Sequence, residues 1–182
     1  MPTTAIQDRM SDNHCVGCGP ENQHGLRIKS YWVGDLETSC SFQPQPHMAA
    51  GPESILNGGI IATLIDCHAV CTAISYATRL AGGAAGQDAM FVTASLSIRY
   101  RRPTPIDRPV EVRARIVGVA ERRTVLECTL SSDGTVCAEA TVVAARVGAG
   151  SAAQPQRVPP PAQTIGGWKA ELPSPRPLAK TA

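Results

Sequence analysis

The sequence predicts an α+β domain, a curved antiparallel sheet wrapped around one long central helix. Three observations carry this. A polar residue and two glycines, Asn57-Gly58-Gly59, open a stretch that stays apolar on nearly every side to about Leu80, the pattern of a helix surrounded by other structure. Two segments of alternating apolar and polar residues precede it and four follow it. Short turns join the later strands, so neighbours in sequence are expected to be antiparallel neighbours in space.

Residues 1–14 are polar and unpatterned, a loose or short helical lead-in. From Cys15 to Leu26 turn formers are dense, and irregular structure is expected. Leu26 to Val33 alternates as a strand, Gly34-Asp35 is a turn, and Leu36 to Phe42 is the hairpin partner. A loop through Pro44, Pro46, His47, Gly51 and Pro52 leads to the helix, which Gly82-Gly83 and Gly86 end. Met90 to Arg102 alternates, with Val92, Ala94, Leu96, Ile98 and Tyr100 on one side and Thr93, Ser95, Ser97 and Arg99 on the other, and Pro103 and Pro105 stop it. Pro109 to Ala120, Thr124 to Ser131 and Thr135 to Val147 complete the strands, with Asp133-Gly134 as a hairpin turn. The domain is therefore placed at 15–147. Residues 148–182 hold seven of the fifteen prolines and few large apolar residues, the composition of a low-complexity tail.

Composition narrows the function. A chain of 182 residues that is 43% hydrophobic has room for one domain with a real core. A formal net charge of +2 is too near neutral for a nucleic-acid groove. No uncharged apolar run reaches the roughly 18 residues of a membrane span, and residues 1–10 show no apolar stretch of a secretory signal. Seven cysteines without a disulfide framework point to a reducing, cytoplasmic setting.

Asp66 is the ionisable carboxylate in the middle of the apolar helix, and such a group is costly to keep unless paired or used. The helix start offers unpartnered N–H groups beside two glycines, a natural seat for a carbonyl oxygen gaining negative charge. Asn57 and Asp66 are nine positions apart, roughly 13 Å of rise and about half a turn of rotation. One helix cannot turn both toward one small substrate. If both serve one site, the second comes from another copy of the helix, which predicts a dimer with sites at its interface.

Three segments resemble the hotdog-fold acyl-CoA thioesterases of the PaaI and thioesterase-superfamily-member type: Cys15-x-x-Cys18-Gly19-x-x-Asn22-x-x-Gly25-Leu26, Asn57-Gly58-Gly59-x-x-Ala62-Thr63-Leu64-x-Asp66, and Tyr100-Arg101-Arg102-Pro103-Thr104-Pro105. The resemblance implies the hotdog fold, a homodimer or dimer of dimers, and an acyl-CoA substrate, with no separate cofactor because coenzyme A arrives on the substrate. It places Asp66 as general base on water or as nucleophile, Gly58 or Gly59 as the backbone donor to the thioester carbonyl, and Thr93 as the residue orienting water. It also places Arg101 and Arg102 where basic residues meet the phosphates of coenzyme A. Asn57 departs from the family, which usually has histidine there. An amide can hold a substrate or cap the helix but cannot shuttle a proton.

Several residues carry a plainer reading beside the functional one. Asp66 could be a buried acid bonded to backbone donors, Gly58 and Gly59 could serve close packing, and Thr93 could be an ordinary strand residue. His68 lies about 200° around the helix from Asp66 and suits a satisfied core histidine, with a place beside the substrate as the other reading. His47 either lines the mouth of the site or lies on a surface loop. Cys67 and Cys71 share a helix face with His68 close by, and Cys15 and Cys18 stand beside His14. Neither group supplies four ligands, so packed thiols are the expectation and no metal is assigned. Two other functions remain on the same scaffold: a non-hydrolytic binding protein for acyl-CoA or a hydrophobic small molecule, and a hydratase, for which no Asp/His motif is seen.

Overall fold

One helix, α1 (Gly58–Leu80), lies against a six-stranded antiparallel sheet in a computed structural model that describes residues 4–82 and 90–148. Its apolar surface is what a sheet can bury. Leu64, Ile65, Ala69 and Ala73 are fully buried, and the sheet answers with an alternating inner face. That face comprises Val110, Val112, Ala114 and Ile116 from β4 (Val110–Ala120), Leu126, Cys128 and Leu130 from β5 (Arg123–Ser132), and Ala138, Ala140, Val142 and Ala144 from β6 (Thr135–Val147). With β1 (Ser30–Trp32), β2 (Glu37–Phe42) and β3 (Met90–Tyr100), the strand order is β1-β2-β4-β5-β6-β3. By length and composition α1 could cross a bilayer, although its one acid breaks the uncharged run; the sheet is where its apolar surface goes.

The two-then-four strand order and the Asp133-Gly134 turn agree with the sequence reading. Both turn residues have positive φ, 46° and 72°, as the tight β5–β6 connection requires. The first strand is shorter than expected. Arg27 adopts φ 52°, and the N–H groups of Leu26 and Ile28 bond to Val16 O (2.7 Å) and Gly17 O (3.1 Å), so this segment follows the Cys15–Cys18 turn rather than β2. The lead-in is no loose arm. A short 3-10 turn, Ile6–Arg9, buries Ile6 and Gln7 in the same core. The readings placed on Gly83, Gly86 and residues 149–182 lie outside the described residues.

Candidate active site

Asp66 lies on a half-open stripe of α1 formed with Gly59, Thr63 and Val70. The helix is thus not wrapped on every side, contrary to its apolar appearance in sequence. The Asp66 Oδ1 accepts a hydrogen bond from Thr93 Oγ1 at 2.5 Å. A bulge makes this contact. Thr93 pairs with Ala144, but Ser95 pairs with Val143 and Leu96 with Val142. The extra residue, Ala94, reverses the alternation, so Thr93 and Leu96 both take partners from the inner face of β6. Strict alternation had put Thr93 on the opposite side from Leu96 and Ile98; the bulge corrects that.

Both residues line a cavity of about 790 Å³, walled by Val70 and Ile74 of α1, Phe91 of β3 and the Cys15–Cys18 turn. Burial and the nearby Asp66 carboxylate push the Cys128 thiol up to about 12, so it stays protonated and is no competing nucleophile. Hydrogen bonds from Cys67 and Cys71 hold the Cys18 thiol far below its usual range. The same bonds, with burial, push Cys67 and Cys71 up.

The helix start forms a second cluster. Asn57 is the N-cap, and its Oδ1 accepts from Gly59 N–H at 2.7 Å. That N–H is spent, whereas the Gly58 and Ile60 N–H groups have no hydrogen bond among the described residues. Tyr100 Oη donates to Gly58 O at 2.8 Å and ties the end of β3 to the first residue of α1. Asn57 N–H bonds to Met48 O at 3.0 Å, which brings the Pro46–Met48 turn, and with it the exposed His47, to the same end. Neither Asn57, Gly58, Gly59 nor His47 lines the Asp66 cavity.

Two binding candidates change character. His68 is fully buried, with Nδ1 2.7 Å from Ser30 Oγ and Nε2 3.1 Å from Thr38 Oγ1. Burial lowers its pKa to about 4, so it is a neutral core histidine and not a substrate contact. Its position around the helix from Asp66 is the reason. Arg101 is exposed but held by Glu139 through Nε (2.8 Å) and Nη2 (2.6 Å). Arg102 is exposed and makes no ion pair among the described residues.

Residues 53–139 match the family described as the thioesterase superfamily. A thioesterase superfamily protein from Shewanella loihica is 35% identical. Its crystal structure superposes with a TM-score of 0.56, covering 69% of this chain and 96% of that one. This chain belongs to the thioesterase superfamily. Its sheet and helix are the hotdog fold of that superfamily. Acyl-coenzyme A thioesterase THEM4 from Bos taurus is 29% identical over 144 residues, 77% of this chain and 54% of that protein. The chain spans about half the length of the curated relatives it matches. A hypothetical thioesterase from Streptococcus pneumoniae, crystallised with coenzyme A, is 16% identical with a TM-score of 0.55, covering 66% of this chain and 86% of that one, and shares the fold.

In this thioesterase-superfamily chain, sequence reasoning passed over two relationships. Tyr100 stood out only as part of a motif, yet it holds the Gly58 peptide; its place at the end of β3, seven residues after Thr93, was the available signal. Cys15 and Cys18 read as an isolated turn, but the fold sets them against Cys67, 49 positions beyond Cys18. No local spacing could report that.

Proposed function

We propose that this chain is an acyl-CoA thioesterase that hydrolyses a small or medium acyl-CoA to the free acid and coenzyme A. The observation that carries the reading is the Asp66 carboxylate, bonded to Thr93 and open to a cavity large enough for an acyl group. Thr93 occupies Oδ1, which leaves Oδ2 for water. Asp66 takes a proton as the water oxygen bonds to the thioester carbon. The C–S bond then breaks, and the proton passes to the departing thiolate. Negative charge on the carbonyl oxygen needs donors, and the unpartnered Gly58 N–H is suited to it.

These donors belong to a facing subunit. Gly58 and Asp66 are eight positions apart on α1, about 12 Å along the axis, and the helix start does not line the cavity. A homodimer, or a dimer of dimers, supplies the missing half. The outer edge of β3 supports this: it is an eleven-residue edge strand with Met90, Val92 and Tyr100 exposed. Arg102 is the better cation for the phosphates of coenzyme A, since Glu139 already engages Arg101. Seven free cysteines suit a reducing cytoplasm.

The test is thiol release from a panel of acyl-CoA thioesters of varied chain length and aromaticity. Asp66→Asn is expected to fold and dimerise as the parent does, with turnover reduced at least a hundredfold, in the range removal of a general base produces. Near-parental turnover by that variant removes Asp66 from the mechanism. Tight acyl-CoA binding by the parent with no thiol release converts the reading to a binding protein.

A further inference from the structure

Three of the seven cysteines, Cys15, Cys18 and Cys67, gather at one place although Cys67 lies 49 positions beyond Cys18. The Sγ atoms of Cys15, Cys18 and Cys67 all lie within 4.8 Å of one another, and those of Cys15 and Cys67 are 3.6 Å apart. Cys71, one helical turn beyond Cys67 and 1% exposed, is a fourth thiol lining the same cavity. A tetrahedral ion with sulfur at about 2.3 Å sets its ligands about 3.8 Å apart, close to the 3.6 Å between the Cys15 and Cys67 Sγ atoms.

The surrounding backbone is built to hold them. Gly19 N–H bonds back to Cys15 O at 2.9 Å and curls Cys15-Val16-Gly17-Cys18 into a tight turn. A Cβ on Gly19 would lie 2.5 Å from the Cys15 N, and one on Gly17 would lie 2.3 Å from the Cys67 Sγ, so only glycine lets the turn approach the helix. Asn13 fixes the geometry from outside: its Oδ1 accepts from Cys15 N–H at 3.0 Å, and its Nδ2 donates to Cys18 Sγ at 3.6 Å. An amide donor to a ligand sulfur is a common outer partner of a thiolate site.

We propose that Cys15, Cys18 and Cys67 bind one zinc ion that clamps the N-terminal turn to α1, with Cys71 turning in from the next helical turn as the fourth ligand. Sulfur ligands favour zinc over harder divalent ions. A site closed by four protein ligands is structural, with no position for substrate. It sets a wall of the Asp66 cavity, because Cys15, Cys18, Cys67 and Cys71 all line it. The proposal is independent of the hydrolytic reading, since a binding protein could carry the same clamp.

The experiment uses the full chain without a histidine tag, purified under reducing conditions. Elemental analysis after gel filtration is expected to give one zinc per chain. Replacement by cobalt is expected to give intense sulfur-to-metal charge-transfer absorption and the visible bands of a tetrahedral thiolate site. Cys18→Ser is expected to lose the zinc, and Cys137→Ser, in the core away from the cluster, to keep it. The cobalt spectrum of the parent needs no variant, so a misfolded Cys18→Ser does not blunt the test. Zinc well below one per chain with no thiolate absorption for cobalt overturns the proposal. A Cys15–Cys67 disulfide in place of metal in the reduced preparation overturns it as well.

Discussion

Thr93 Oγ1 donates a 2.5 Å hydrogen bond to Asp66 Oδ1, and it reaches that carboxylate only because the β3 bulge turns it to the inner face. The bond fixes one carboxylate oxygen and so directs the other. Thr93→Val should keep the fold and lower kcat roughly tenfold, equivalent to about 1.4 kcal/mol, with a smaller effect on KM. Thr93→Ser should keep most of the rate. Steady-state kinetics on the preferred acyl-CoA separates the two; parental kcat in Thr93→Val excludes the positioning role.

Gly58 tests whether the helix start is approached closely. A Cβ there would meet the Tyr100 ring at 3.5 Å, ordinary contact, and its φ is not left-handed. Gly58→Ala should therefore leave the melting temperature unchanged or slightly raised, since alanine favours the helix. Activity should fall at least tenfold if a carbonyl oxygen must reach that N–H. Full activity with unchanged stability would show that no substrate atom comes near.

Tyr100→Phe removes the bond to Gly58 O without changing the ring packing. The expected loss is about 1 kcal/mol in whichever quantity depends on that peptide's orientation. We expect this mainly in kcat/KM, with thermal stability altered much less. An equal loss of stability with no kinetic change would make Tyr100 a purely structural tie.

His68 predicts an acid-side stability loss. Its folded pKa of about 4 lies below the ordinary 6.5, so between these values the unfolded chain binds the extra proton. Its contribution is fully present above pH 6.5 and declines as pH falls toward 4, by on the order of 3 kcal/mol. The ring meets neutral partners, Ser30 and Thr38, with Gln7 behind Ser30 and Thr72 behind Thr38. His68→Gln should lower stability at neutral pH but flatten the slope of melting temperature between pH 7 and pH 4. An unchanged slope would assign the acid sensitivity elsewhere.

Gly17→Ala should be more damaging than a loop glycine usually is. Its Cβ would lie 2.3 Å from the Cys67 Sγ and 3.0 Å from Thr63 Cγ2, both on α1. Overpacking of this kind costs about 1–3 kcal/mol. Chemical denaturation should show the loss, and acyl-CoA binding should weaken with it, because this turn walls the cavity. A fully stable variant would mean that the turn can move away from the helix.

Much of this was legible because the relevant rules are local. Alternation marks a half-buried strand, an apolar run between a polar cap and glycine marks a helix, and Asp133-Gly134 requires one kind of turn. Asp66 drew attention for the same reason, a charge among apolar neighbours. Thr93 was named only through the family resemblance, and strict alternation put it on the wrong face. A bulge depends on how two strands register, and β3 and β6 are separated by two further strands in sequence.

Element order, the central acid and the cap at Asn57 follow from periodicity and side-chain chemistry along the chain. Packing alone decided that His68 is walled in, that Thr93 meets Asp66, and that Cys15 and Cys18 converge on Cys67. Each of those outcomes depends on which surfaces meet after the sheet closes over α1, and hydrogen bonds and thiol contacts reach only a few ångströms. No spacing within a single segment encodes a meeting of that range between residues dozens of positions apart.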